Sequence, residues 1–100
     1  MEISELTDKM NAFVTAKGWY ASTSPKPQTP RNLAISLSLE ASEVLEHFQW
    51  EENTSDAQEL SSELADVALY LLQLASVSGI DLEKAILEKL DKNYQRDWSN

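Results

Sequence analysis

The sequence predicts an all-α protein, a short-looped, four-helix bundle-like fold in which residues 1–100 form one domain. Two observations carry this. Apolar residues recur at three-and-four spacing in four separate segments, and no useful length of chain alternates with period two. The breakers supply the third: the 2 glycines and 3 prolines all fall between those segments, at Gly18, Pro25, Pro27, Pro30 and Gly79.

Helix 1 is expected from Ile3 or Ser4 to Ala16, with Ser4 or Thr7 as candidate caps and Leu6, Met10, Phe13 and Val14 facing the core. Gly18 ends it, and Trp19 and Tyr20 follow, placed to cover the core or to form a pocket wall. Ala21 to Pro30 reads as a loop, long for a small helical protein and so a candidate for function. Thr29 caps helix 2 and Pro30 takes its first position. From Leu33 to Trp50 the helix carries the stripe Leu33, Leu37, Ala41, Val44, Phe48. Polar residues Glu51 to Ser55 turn the chain, and Thr54, Ser55 or Asp56 caps helix 3. Its stripe is Leu64, Val67, Leu71 and Leu74, and it ends at Val77 before Ser78-Gly79. Asp81 caps helix 4, which runs to about Arg96 with Leu82, Ala85, Ile86, Leu87 and Leu90 as its apolar side. Ile35, Leu39, Leu69 and Leu72 widen the apolar faces beyond one stripe, which points to burial against a second subunit.

Composition narrows the function. A 42% hydrophobic content excludes a disordered chain, and a formal charge of −9 argues against a nucleic-acid polymer as partner. Free nucleotides stay open, because a bound divalent cation reverses the local potential. The chain has no cysteine, hence no disulfide and no thiolate metal site, as suits a cytoplasmic protein. Met1 to Asn11 lacks the apolar core of a signal peptide, and the longest apolar run, Val67 to Leu72, is short for a membrane span.

Chemistry points to two acid pairs. Glu40 and Glu43 flank the stripe of helix 2, and at about 100° per residue they lie roughly 60° and about 4.5 Å of rise apart. Glu63 and Asp66 repeat the pattern on helix 3. One such pair alone reads as a solvated face. Two pairs on neighbouring helices repel each other unless a hard cation fills the cluster, and all-oxygen ligation suits Mg²⁺, with Mn²⁺ as its substitute. His47, the one histidine, is placed to touch a ligand, although a lone histidine is more often a hydrogen-bonding residue. Lys89, Asn93 and Arg96 share a narrow polar and basic face on helix 4 and read equally as phosphate-binding groups or as solubilising charge. Trp19, Trp50 and Tyr70 are of the type that stacks on a nucleobase, and also of the type that fills a core or an interface.

Glu40-x-x-Glu43 followed by Glu63-x-x-Asp66 resembles the motif of the MazG-like all-α nucleoside triphosphate pyrophosphohydrolases. Pro30-Arg31-Asn32-Leu33, Glu46-His47-Phe48-Gln49-Trp50, and Lys89 with Asn93 are similar to the branch that contains dCTP pyrophosphatase. The resemblance implies a Mg²⁺-dependent enzyme that splits a (deoxy)nucleoside triphosphate, dCTP first, into monophosphate and pyrophosphate in a house-cleaning role. It also implies a homodimer or homotetramer with sites at subunit interfaces. By position, Glu40, Glu43, Glu63 and Asp66 become catalytic metal ligands, and Trp19, Trp50 and Tyr70 line the base and sugar pocket. Lys89, Asn93 and Arg96 hold phosphates, with Arg31 and His47 as further substrate contacts. The chain departs from the pattern at Gln28, where similar proteins often carry histidine before Pro-Arg-Asn, and at the close of helix 4, Arg96-Asp97-Trp98. The competing readings are a phosphoribosyl-ATP pyrophosphohydrolase with the same metal logic, and a non-catalytic helical dimerisation or regulatory module.

Overall fold

Four helices and no strand make up the computed structural model, which describes residues 1–96: α1 (Ile3–Ala16), α2 (Pro30–Glu46), α3 (Ala57–Val77) and α4 (Leu82–Gln95). Asp97 and Trp98 lie outside the described residues.

Each boundary has a local cause. Thr29 Oγ1 accepts from the Asn32 N–H at 3.1 Å, with Pro30 in the first turn. Asp56 caps α3 through Glu59 N–H at 2.9 Å, and Asp81 caps α4 through Lys84 N–H at 3.1 Å. Of the three candidates before α3, Asp56 takes the role. For α1 the cap is Glu2, not Ser4 or Thr7, and Glu5 reaches back to the Glu2 N–H at 3.4 Å. Gly18 and Gly79 adopt φ of 73° and 69°, left-handed conformations that end α1 and α3 where a side chain would be strained. α2 stops at Glu46, short of the expected Trp50. There the amides tighten to three-residue spacing, His47 to Val44 and Phe48 to Leu45, and the chain turns away.

α3 is the central helix. It packs along α2 on one side and α1 on the other, and α4 lies against α1. By length and composition α3 could cross a membrane, since 21 residues reach a mean hydropathy of 1.2 over an 18-residue window, a property the short run Val67 to Leu72 does not announce. Here it sits among the other helices, and two carboxylates in mid-helix, Glu63 and Asp66, are costly in a bilayer.

The interior is small. Met10, Val14 and Leu72 form the buried cluster, with Ile3, Trp19, Tyr20 and Leu82 packed against it, and Leu33 is the most buried large side chain at 2% exposure. Leu72, expected at a subunit surface, is buried within the chain. Several residues expected in the core are not: Leu6, Phe13, Phe48, Leu64 and Leu71 are exposed, as is the apolar side of α4 at Ile86, Leu87 and Leu90. On α3 the reason is register. Glu63, Val67, Tyr70 and Leu74 take the half-buried positions, so the acid stands inside the helix pair rather than at its edge. No residue of α4 is buried, and the radius of gyration of 16.2 Å exceeds the about 13 Å of a compact 100-residue chain. The single chain is thus an open four-helix arrangement with broad apolar faces uncovered.

Candidate active site

The antiparallel α2 and α3 form a seam with two chemically different ends. At one end stand the acids. Glu40 is raised above its ordinary value of 4.5, by burial first and then by the charges of Glu43, Asp66 and Glu63. The two pairs proposed from spacing therefore converge. Glu43 is the largest of these charges on Glu40, so the two carboxylates of α2 oppose each other's ionisation.

Two oxygens here are buried without a hydrogen-bond partner, Glu40 Oε2 and Glu63 Oε2. The second lies 2.7 Å from His47 Nε2, an ion-pair separation once the ring is protonated, though not an aligned hydrogen bond. His47 Nδ1 meets Thr54 Oγ1 at 2.8 Å, so the ring is strung between the α2–α3 turn and Glu63. Among the described residues no three acid or imidazole side chains stand in coordinating position around one point. The carboxylates gather without closing. Their chemistry nonetheless fits a hard divalent cation, all oxygen, with buried carboxylate oxygens that accept no hydrogen bond.

At the other end a cavity of about 740 Å³ opens between α1, the proline-containing loop and the α2/α3 seam, a volume typical of small-molecule sites. Its walls are mainly apolar and aromatic, with Phe13, Trp19, Leu33, Leu69 and Tyr70 among them, and Asp66 lies on its edge toward the acids. Phe13 holds Trp19 edge-to-face at 5.7 Å, and Lys26 Nζ sits 5.2 Å over the Trp19 ring. The loop is fixed by short bonds, Asn32 Nδ2 to Pro27 O at 2.9 Å and Lys26 N to Ser24 Oγ at 3.0 Å.

Of the residues singled out from the sequence, Trp19, Asp66 and Tyr70 line this cavity. Trp50 does not: it is 88% exposed in the turn after α2. Arg31 lies exposed at the start of α2 outside the lining, and His47 belongs to the acid end. Lys89 and Asn93 are carried by α4, which packs on α1, Arg96 caps its C-terminus, and none of them lines the cavity of the same chain. Gln28, the departure before Pro30-Arg31-Asn32, does line it, whereas sequence reasoning missed Lys9, Lys26 and Gln73 as lining residues. Gln73 had a signal, as the one strongly polar residue besides Asp66 between Leu64 and Ala75.

Residues 35–98 match the MazG-like family, and this chain belongs to it. It is 38% identical over 76 residues to dCTP pyrophosphatase 1 of Mus musculus and 37% identical over 76 residues to that of Homo sapiens, covering 67% of this chain and 45% of each relative. The chain thus spans less than half the length of these curated relatives. Among solved structures, a pyrophosphatase from Archaeoglobus fulgidus is similar with a TM-score of 0.75 and 36% identity, over 96% of this chain and 92% of that one.

Proposed function

We infer that this chain hydrolyses nucleoside triphosphates, with dCTP the first among deoxynucleotides, to the monophosphate and pyrophosphate, as a homodimer or homotetramer that clears the nucleotide pool. The observation that carries the reading is the continuity of the seam: the aromatic cavity meets the acid cluster at Asp66, so a base held in one places its phosphates at the other. Glu40, Glu43, Glu63 and Asp66 hold a divalent cation, Mg²⁺ or Mn²⁺. When bound it supplies charge neutralisation of the triphosphate and activation of water.

The chain's own residues do the rest. Trp19 and Tyr70 offer faces for a base, and the apolar walls exclude water from it. His47 keeps Glu63 turned toward the cluster. Lys89, Asn93 and Arg96 of a second copy are the phosphate contacts of this reading, and the exposed apolar residues of α2, α3 and α4 are the surface on which such a copy packs. Residue positions shared with the motif and names of the relatives support the reaction type.

The test is a panel of ribo- and deoxynucleoside triphosphates with Mg²⁺, with products resolved as monophosphate and pyrophosphate. Pyrophosphate release that is abolished by EDTA and in Glu63→Gln is expected. A folded, metal-supplied protein without turnover on any member points to phosphoribosyl-ATP or to the non-catalytic module.

A further inference from the structure

Gln73 is 4% exposed, the one buried polar side chain of the described interior, yet it lines the cavity. Burying an amide in an apolar helix face is costly unless its polar atoms are used. The surrounding bonds show how they are used, and they leave one over.

The orientation is anchored by a backbone carbonyl, which cannot be flipped. Gln28 Nε2 donates to Lys26 O at 2.6 Å, so Gln28 Oε1 is the atom that faces Gln73, and it accepts from Gln73 Nε2 at 2.6 Å. A separate set of bonds lies beside it. Asn11 Nδ2 donates to Ser76 Oγ at 3.0 Å, which turns Asn11 Oδ1 toward Tyr20, and Tyr20 spends its hydroxyl proton on that oxygen at 2.6 Å. The carbonyl-anchored Gln28 thus fixes the turn of the Gln73 amide, with Nε2 toward Gln28, and the acceptor Oε1 holds a set position.

We propose that Gln73 is the residue that selects the base: its locked amide presents a fixed acceptor to the cavity, which takes a nucleobase with an exocyclic amino group and rejects the oxo counterpart. This rests on the nucleotide reading given above and deepens it. A free amide turns over and serves donor or acceptor alike, whereas this one cannot turn without setting its oxygen against Gln28 Oε1, which is itself fixed by the Lys26 carbonyl. An oxo group set against Oε1 opposes two acceptors in a dry site, an arrangement with no proton to share. Gln28 is a positioning residue, acting through Gln73.

The experiment compares dCTP with dUTP, which differ at this edge, and reads the ratio of kcat/KM; dCMP and dUMP binding by calorimetry supplies a readout independent of turnover. The native chain is expected to favour the cytosine partner by about tenfold or more in both measurements. Gln73→Met, of similar shape without the acceptor, brings the ratio near one while turnover of dUTP is retained. Gln28→Ala, which removes no atom proposed to touch the base, also lowers the ratio, because the Gln73 amide is free to turn. Turnover with an unchanged ratio in both variants overturns the inference and leaves the nucleotide reading intact. Binding that loses its cytosine preference in both variants, with no turnover in any protein, upholds the inference while the reaction assigned above falls. A native chain that treats the two bases alike overturns it outright.

Discussion

The two ends of the α2/α3 seam bury polar atoms on opposite terms. At the cavity end, Gln73 is bonded to Gln28, and Tyr20 to Asn11 and Asn11 to Ser76, by hydrogen bonds of 2.6 to 3.0 Å. At the acid end, Glu40 Oε2 and Glu63 Oε2 are buried without one, and the neighbours of Glu40 are other carboxylates. A network that satisfies itself makes the fold rigid and fixes what a ligand meets. A cluster that does not is stable only with something added, and for oxygens of like charge that something is a cation.

The largest expected effect breaks the acid end. Glu63→Gln removes a charge at the centre of the cluster and should lower pyrophosphate release by more than about 100-fold, beyond the roughly 10–100-fold that partners outside a metal's ligands contribute. Circular dichroism should show the helices unchanged. Next, His47→Leu leaves every carboxylate in place but frees Glu63 from the ring that holds it. The Mn²⁺ concentration at half-saturation, followed by paramagnetic resonance, should rise by about tenfold.

Stability tests the contrast by sign. Asn11→Ala cuts the link between Tyr20 and Ser76 and should destabilise the chain by about 1–3 kcal/mol in urea unfolding. Glu40→Gln should do the reverse in EDTA and raise the melting temperature. The pH dependence has the same origin. A carboxyl raised above its ordinary 4.5 favours folding most when protonated in both states, and that contribution is lost as pH rises through the folded value. The metal-free protein should therefore melt at a higher temperature as pH falls from 7 toward 5, by an increment that Glu40→Gln abolishes. A divalent cation at pH 7 should restore what the ionised Glu40 costs.

Much of this was legible in the sequence, for identifiable reasons. Caps and breakers are local chemistry, so Thr29-Pro30, Asp56, Asp81, Gly18 and Gly79 placed the helix limits closely. The acid pairs were legible because their i, i+3 spacing fixes one face of a helix whatever it packs against. Facing direction was harder. Leu64 and Leu71 outrank Glu63 and Tyr70 in hydrophobicity, but the helix turned the latter inward and left the leucines uncovered in the single chain. His47 stands near the carboxylates and hydrogen-bonds, as a lone histidine is expected to, but its partners, Thr54 and Glu63, arrive from beyond the end of its helix and had no local signal. The Gln28 and Gln73 pair is separated by 45 positions, and no local pattern links two glutamines so far apart.

The most direct test of the central claim, that the acid end is completed by a cation, is a calorimetric titration of Mn²⁺ into the metal-free protein at pH 7. The double variant Glu40→Gln, Glu63→Gln is the comparison. Saturable binding in the native chain and none in the variant, with helices intact in both, is the predicted result. Equal binding in the two proteins, or none in either, would contradict it.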